Sequence, residues 1–373
     1  MNTASNAQLV AATLAGAWRA DGLPLRLSRG DLARVSPLLM ESGAAALGWR
    51  RVHATPALRD CPEANTLCQG GRLLALEDVR NCRAVEHVVA LLNDAGIEPL
   101  IVKGWSVARA YADSYLRPYG DIDLVAPPGQ YDAVCEVLRP HALPKRSKPE
   151  IGQMVLDCGI AWKVCTVDLH RHLNSAHMPP VETLFERSTH VSVGSAHARL
   201  LCMEDQLRHV ITHFLRHGAW RPLWLCDVAA LVEGLPADFD WTRCLSDDRH
   251  IADWIAATIT LAHRLLGCRV GHVPASVADV AVPAWFERTV LREWDAPFPI
   301  QLSNTPALQI PRRLSDVRLW LRARWPNAVR ATVGIRGACN TAPRLPYQIA
   351  HVGMGIRRYI AAVAAERRAR TRA

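Results

Sequence analysis

The sequence predicts an α+β protein in which a small α/β module sits between a helical N-terminal segment and a helical C-terminal half. Three observations carry this. Residues 7–50 and 71–95 repeat apolar side chains at helical spacing. From Pro99 to Arg171 that texture gives way to short apolar or alternating runs bounded by Gly and Pro. Helical periodicity returns at Glu204. The division that follows is a helical segment over 1–75, an α/β module over 76–200, and a helical domain with a basic tail over 201–373.

Taken in order, residues 7–50 read as two or three helices, with Leu32, Val35, Leu38 and Leu39 on one face. Ser28 and Asp31 have the spacing of a helix start there. In 71–95, Leu73, Leu74, Val79, Val85, Val88, Val89, Leu91 and Leu92 keep an apolar stripe. Asn93-Asp94-Ala95-Gly96 supplies its stop. Pro99-Leu100-Ile101-Val102 reads as a buried strand ending in Lys103-Gly104, and Trp105–Tyr115 as a helix. After a turn at Pro118-Tyr119-Gly120, Asp121-Ile122-Asp123-Leu124-Val125 is a strand with carboxylates alternating against aliphatics. Pro127-Pro128-Gly129 closes it and Gln130–Leu138 is helical. Beyond a basic turn (Lys145, Arg146, Lys148), residues 151–171 read as a hairpin whose second arm is Ile160–His170. Asp205–His217, Pro222–Glu233 and Ile251–Leu266 then read as helices punctuated by Gly218, Gly234-Leu235-Pro236 and Gly267.

Composition narrows the function classes. The chain has 373 residues, half of them hydrophobic, enough for one large core or two smaller ones. No apolar run reaches the ~18–20 residues a membrane-spanning helix needs. Met1–Ala20 lacks a charged start to its short apolar stretch, so no signal peptide is expected. Eleven cysteines are scattered without a C-x-x-C pair, which reads as buried thiols in a reducing compartment and a cytoplasmic protein. A net charge of +9 suits an anionic partner. Part of that excess is the tail Arg357, Arg358, Arg367, Arg368, Arg370 and Arg372, which reads as a solvated helix end. Nucleic acid is not favoured, because no basic-aromatic pattern emerges from the tryptophans.

The chemistry lies in the module. Residues two apart on a strand share a face, so Asp121 and Asp123 sit side by side. Two adjacent carboxylates repel unless a cation neutralises them, and Mg²⁺ (or Mn²⁺) is the natural one. Asp168, in the alternating run Val164–His170, is the candidate third carboxylate. Upstream, Val102-Lys103-Gly104-Trp105-Ser106 ends a strand and opens a helix, a place for a triphosphate with Gly104 allowing close approach. Lys103 and Arg117 add positive charge, and Arg117 can fork onto phosphate oxygens.

Lys103-Gly104, then Leu116-Arg117-Pro118, then Asp121-Ile122-Asp123-Leu124-Val125 resembles the "KG…LRP…DIDLLV" signature of a bacterial nucleotidyltransferase family of the polymerase-β-like superfamily. Asp168-Leu169-His170 falls at its "DLH" strand. Glu204–Leu207 through His213 and Trp224–Ala229 match its helical C-terminal pattern. The resemblance covers residues 30–350. It implies a polymerase-β-like nucleotidyltransferase module with a mixed sheet, and metal-dependent, Mg²⁺-type transfer of a nucleoside monophosphate from an NTP such as ATP. Pyrophosphate leaves; the family pattern does not name the acceptor, which is expected to be an unidentified small molecule or peptide. Carried over, Asp121, Asp123 and Asp168 are the metal ligands, and Gly104 and Ser106 take the phosphate-loop role beside Lys103 and Arg117. One departure is that the usual adjacent Gly-Ser pair appears here as Gly104-Trp105-Ser106.

Other readings stand beside this one. A member without catalysis, binding nucleotide or a partner in the manner of an antitoxin, uses the same residues. So does transfer from a nucleotide-sugar. His170 and His172 read as surface histidines. His209, His213 and His217 lie four apart on one helix face, but Val210 stands where a zinc peptidase carries its Glu. They are expected to line the interface with the α/β module. Asp227, within an apolar helix, needs a His or Arg partner.

Overall fold

The computed structural model describes residues 4–21, 24–144, 146–148, 152–157, 164–173, 177–245, 248–295 and 325–357. Helices α1 (Asn6–Leu14), α2 (Arg29–Glu41), α3 (Ala45–His53) and α4 (Pro62–Asp94) come first. The module follows: β1 (Leu100–Val102), α5 (Gly104–Ala108), a 3₁₀ turn at Ser114–Leu116, β2 (Asp121–Val125), α6 (Tyr131–Leu138), β3 (Gln153–Asp157), β4 (Val164–His170), α7 (Val181–Arg187), β5 (Thr189–Val193) and β6 (Ala196–Leu200). Then come α8 (Met203–Arg216), α9 (Pro222–Glu233), α10 (Trp241–Leu245), α11 (Arg249–Leu266), α12 (Ala275–Ala278), α13 (Ala284–Trp294) and α14 (Ala328–Gly334). The fold class is the α+β one expected. None of the described helices is long and apolar enough to cross a membrane.

Local chemistry sets several boundaries. Ser28 caps α2 through a reciprocal box: its Oγ accepts from Asp31 N at 3.1 Å, and Asp31 Oδ2 accepts from Ser28 N at 3.2 Å. α4 opens on Pro62, whose missing N–H costs nothing at a first helical position. It runs 33 residues, starting well before the expected 71. Its first half packs on α3 through Gly70 and Gly71, small residues that add nothing to an apolar stripe.

The helix expected over Trp105–Tyr115 stops at Ala108. The chain instead carries Tyr111 into the helical half, where its hydroxyl donates to Asp227 Oδ1 at 2.6 Å. The expected second hairpin arm begins at Val164; residues 158–163, and Lys145 of the basic turn, lie outside the described residues, as do the tail arginines beyond Arg357. Among the described residues nine cysteines are free, but Cys165 is disulfide-bonded, contrary to the expectation of thiols throughout.

The sheet has six strands in the order β3-β4-β2-β1-β6-β5 and is mixed. β2 runs parallel to β4 and β1 parallel to β6, while the remaining neighbours are antiparallel. One face buries Ile122, Leu124, Val167 and Leu169 against Val85, Val88, Val89 and Leu92 of α4. Each such side chain contributes about 1.5–3 kcal/mol of burial. α1–α3 share a second apolar cluster with α8, α9, α11 and α13, including Leu14, Leu39, Leu47, Phe214, Trp254 and Trp294. N-terminal and C-terminal helices are therefore packed into one another.

A buried ion pair ties this helical core to the strand that carries the carboxylates. Arg117, three residues before Gly120, points its guanidinium at Asp227 of α9: Nη2 donates to Oδ2 at 2.8 Å and Nε to Oδ1 at 3.1 Å. Both side chains are almost fully buried. Burial works against the Arg117 charge, but the Asp227 carboxylate outweighs it and raises the guanidinium pKa further. Breaking a buried pair from one side strands a charge. Arg117→Met should therefore cost about 3–5 kcal/mol in chemical denaturation, and the double variant Arg117→Met/Asp227→Leu should regain most of it. Losses that simply add would contradict the pairing.

Candidate active site

Alternation on β2 turns Asp121 and Asp123 to the face opposite Ile122 and Leu124. The parallel register then sets Asp123 beside Asp168, and Asp121 beside Thr166. Carboxylate oxygens of Asp121, Asp123 and Asp168 lie within 4.8 Å of one another. Among the described residues, no other group of three or more His, Cys, Asp or Glu converges in this way.

Their surroundings divide the charge unevenly. Asp123 is the most deeply buried: burial pushes its carboxyl up, but His170 and Lys103 outweigh that and hold it below its ordinary value. His170 Nε2 lies 3.1 Å from Asp123 Oδ1, and the Lys103 ammonium pairs with the same oxygen. Asp168 Oδ1 accepts from Gln153 Nε2 of β3 at 3.2 Å. Asp121 is compensated less. Burial first, then Asp123 and Asp168, raise its pKa above its ordinary value, and Lys103 offsets only part of that rise.

The Lys103 turn is strained. Its backbone has φ 53° and ψ −138°, a positive φ that a residue with a Cβ rarely adopts. Strain of this kind concentrates where surrounding structure holds a group for use. Ser106 Oγ donates to Lys103 O at 2.7 Å and so fixes the turn. At Gly104 a Cβ would meet the Tyr119 side chain, its Cβ at 3.1 Å and its ring at 3.2 Å. The close approach that this glycine permits is thus to Tyr119, whose carbonyl accepts from Asn81 Nδ2 at 2.7 Å.

The structure thus gathers Asp121, Asp123, Asp168 and Lys103 at one point, with Gly104 and Ser106 in the turn behind Lys103. Arg117 stands apart, its guanidinium taken up by Asp227. That arginine is the partner Asp227 was expected to need. His170, expected at the surface, instead bonds Asp123, because β4 alternation places it two residues beyond Asp168 on the same face. His172 is exposed. Gln153 gave no sequence signal, since its role depends on the β3–β4 pairing of Gln153 with Asp168.

α8 brings its histidines to the same region. Lys103, His170, Leu173, His209, Thr212 and Arg216 line a cavity of about 210 Å³, with His213 and His217 completing the wall. This is the interface expected for them, and among the described residues no group able to hold a metal includes them. Burial holds the imidazole of His209 down to about 3, so it is neutral at working pH.

A mixed sheet with converging carboxylates on adjacent strands defines a nucleotidyltransferase-like α+β protein. The chain belongs to the uncharacterised nucleotidyltransferase family, whose model matches residues 28–267. Among solved structures it is similar to an antigenic nucleotidyltransferase-like protein from Paracoccidioides brasiliensis. That likeness has 11% identity and a TM-score of 0.35, over 53% of this chain and 97% of the other. No curated protein matches the chain.

The under-compensated Asp121 charge makes a stability prediction. With its folded pKa raised, Asp121 costs nothing at a pH below its unfolded value; the cost grows from the unfolded value up to the folded value and is constant above it. Asp121→Asn should therefore raise the melting temperature of metal-free protein at pH 7 by a few degrees, and less at pH 4. A lower melting temperature at pH 7 would contradict the assignment of strain to this carboxylate.

Proposed function

We propose that the protein is a metal-dependent nucleotidyltransferase that moves a nucleoside monophosphate from an NTP to a hydroxyl of a small-molecule or peptide acceptor. The observation that carries this is the convergence of Asp121, Asp123 and Asp168 across the β2–β4 register, in a chain of the nucleotidyltransferase family. Three hard oxygen donors fit Mg²⁺ or Mn²⁺ in place of softer metals. Such a cation, when bound, neutralises the carboxylates and the charge that develops on the phosphoryl group.

The chain's own residues do the rest. Asp168 takes the acceptor's proton as the hydroxyl oxygen attacks the α-phosphorus. The new P–O bond forms as the bond to the bridging oxygen breaks, and pyrophosphate leaves with that electron pair. Lys103 is now paired with Asp123; its ammonium is placed to exchange that carboxylate for a triphosphate oxygen. Gly104 and Ser106 hold the Lys103 turn in the nucleotide-facing conformation. Arg117 acts on the nucleotide site through Asp227, by fixing the approach to β2.

Asp123→Asn should abolish pyrophosphate release from ribonucleoside triphosphates with Mg²⁺ or Mn²⁺, a loss of at least about 10³-fold, while circular dichroism stays native. Full retention of activity in that variant would sink the proposal.

A further inference from the structure

The cavity beside the carboxylates has a composition that restricts its occupant. Lys103 and Arg216 supply positive charge, and no carboxylate lines the wall among the described residues. His209 is the decisive member. It is 93% buried, at 7% relative exposure, and neither of its ring nitrogens has a hydrogen-bond partner. A buried polar group left unmatched carries a desolvation penalty, and native structures usually relieve it with a partner. Its neighbours on the same helix are already engaged: His213 and His217 lie against Trp224 of α9, with ring centroids at 4.7 Å and 5.1 Å. Thr212 donates to the His209 carbonyl at 3.0 Å, which leaves the imidazole itself free.

Position and size then separate this cavity from a place for the whole nucleotide. Its floor is the pair Lys103 and His170, both of which touch Asp123. At about 210 Å³ it is smaller than the ~300–1,000 Å³ of sites that enclose a drug-sized ligand. It has room for a head group and not for a nucleoside triphosphate.

We propose that this chamber receives the small oxyanion head, a phosphate or carboxylate, of the acceptor, with His209 and Arg216 as its specificity-determining residues. The inference rests on the nucleotidyl-transfer reading and deepens it, naming the acceptor as an anionic compound whose reacting oxygen lies away from the held head. His209 donates one N–H to an oxyanion oxygen, Arg216 supplies charge at the mouth, and Leu173 closes the apolar side.

The test is isothermal titration of the full-length protein with inorganic phosphate and, separately, with acetate, in the wild type, His209→Leu and Arg216→Gln. Arg216 is exposed, so its variant keeps the test open if the buried histidine variant does not fold. The same proteins are titrated with the four ribonucleoside triphosphates in Mg²⁺. Saturable binding of one anion is expected, weakened about tenfold in either variant, with triphosphate affinity unchanged. Which anion binds identifies the head. The proposal is overturned if neither anion saturates, if both variants bind like the wild type, or if triphosphate affinity falls together with anion affinity. Wild-type protein that binds the anion through His209 yet releases no pyrophosphate from any triphosphate would keep the oxyanion site and remove the nucleotide reading.

Discussion

Like charges that strand register brings within 4.8 Å of one another must be neutralised, and the surroundings of Asp121, Asp123 and Asp168 are organised by that need. Asp123 receives two cationic or cation-capable partners and Asp168 an amide, while Asp121 has only the more distant pull of Lys103 and a backbone hydrogen bond. The compensation is local and incomplete, which is the condition in which a further cation binds with most effect. The backbone strain at Lys103 belongs to the same arrangement. A lysine at a positive φ where a strand turns into a helix is held there by Ser106 and by the Tyr119 ring over Gly104.

A second buried charge makes the site dependent on the helical half. Arg117 lies just before β2, and its partner Asp227 lies in the middle of α9, with Tyr111 completing the set. The strand that carries two carboxylates is therefore anchored to the helices that pack with α1–α3. α8 runs beside α9 and faces the same end of the sheet, so one rigid arrangement fixes both the carboxylates and the histidine-lined chamber. Deep burial keeps His209 neutral, which suits hydrogen bonding to an anion in place of competition for its proton.

Much of this was legible in the sequence because the informative signals were short-range. Alternation in Asp121–Val125 and Val164–His170 names the strands and the face of each carboxylate. Ser28 with Asp31, and Pro222 with Gly234, mark helix ends by local hydrogen bonding and backbone geometry. What sequence could not give was pairing. Nothing local says that Asp123 sits beside Asp168, that Gln153 reaches Asp168, or that Arg117 finds Asp227 across 110 residues. The β5–β6 hairpin carries little sequence signal because its outward residues are polar and its turn is two residues long. Gly194 supplies the positive φ of 60° that this turn needs, and Glu86 of α4 accepts from Ser195 N at 2.9 Å. Trp105–Tyr115 misled as a helix because tertiary contacts of Tyr111 override its local propensity.

The claim that the three carboxylates form one divalent-cation site for a nucleotide is tested most directly by Mn²⁺ titration followed by electron paramagnetic resonance. The comparison is between the wild type and Asp121→Asn/Asp168→Asn, each with and without triphosphate. The account predicts that wild-type protein removes free Mn²⁺ signal, more strongly with triphosphate than without, and that the double variant loses the protein-dependent part. Equal Mn²⁺ uptake by both proteins would place the cation elsewhere and contradict the account.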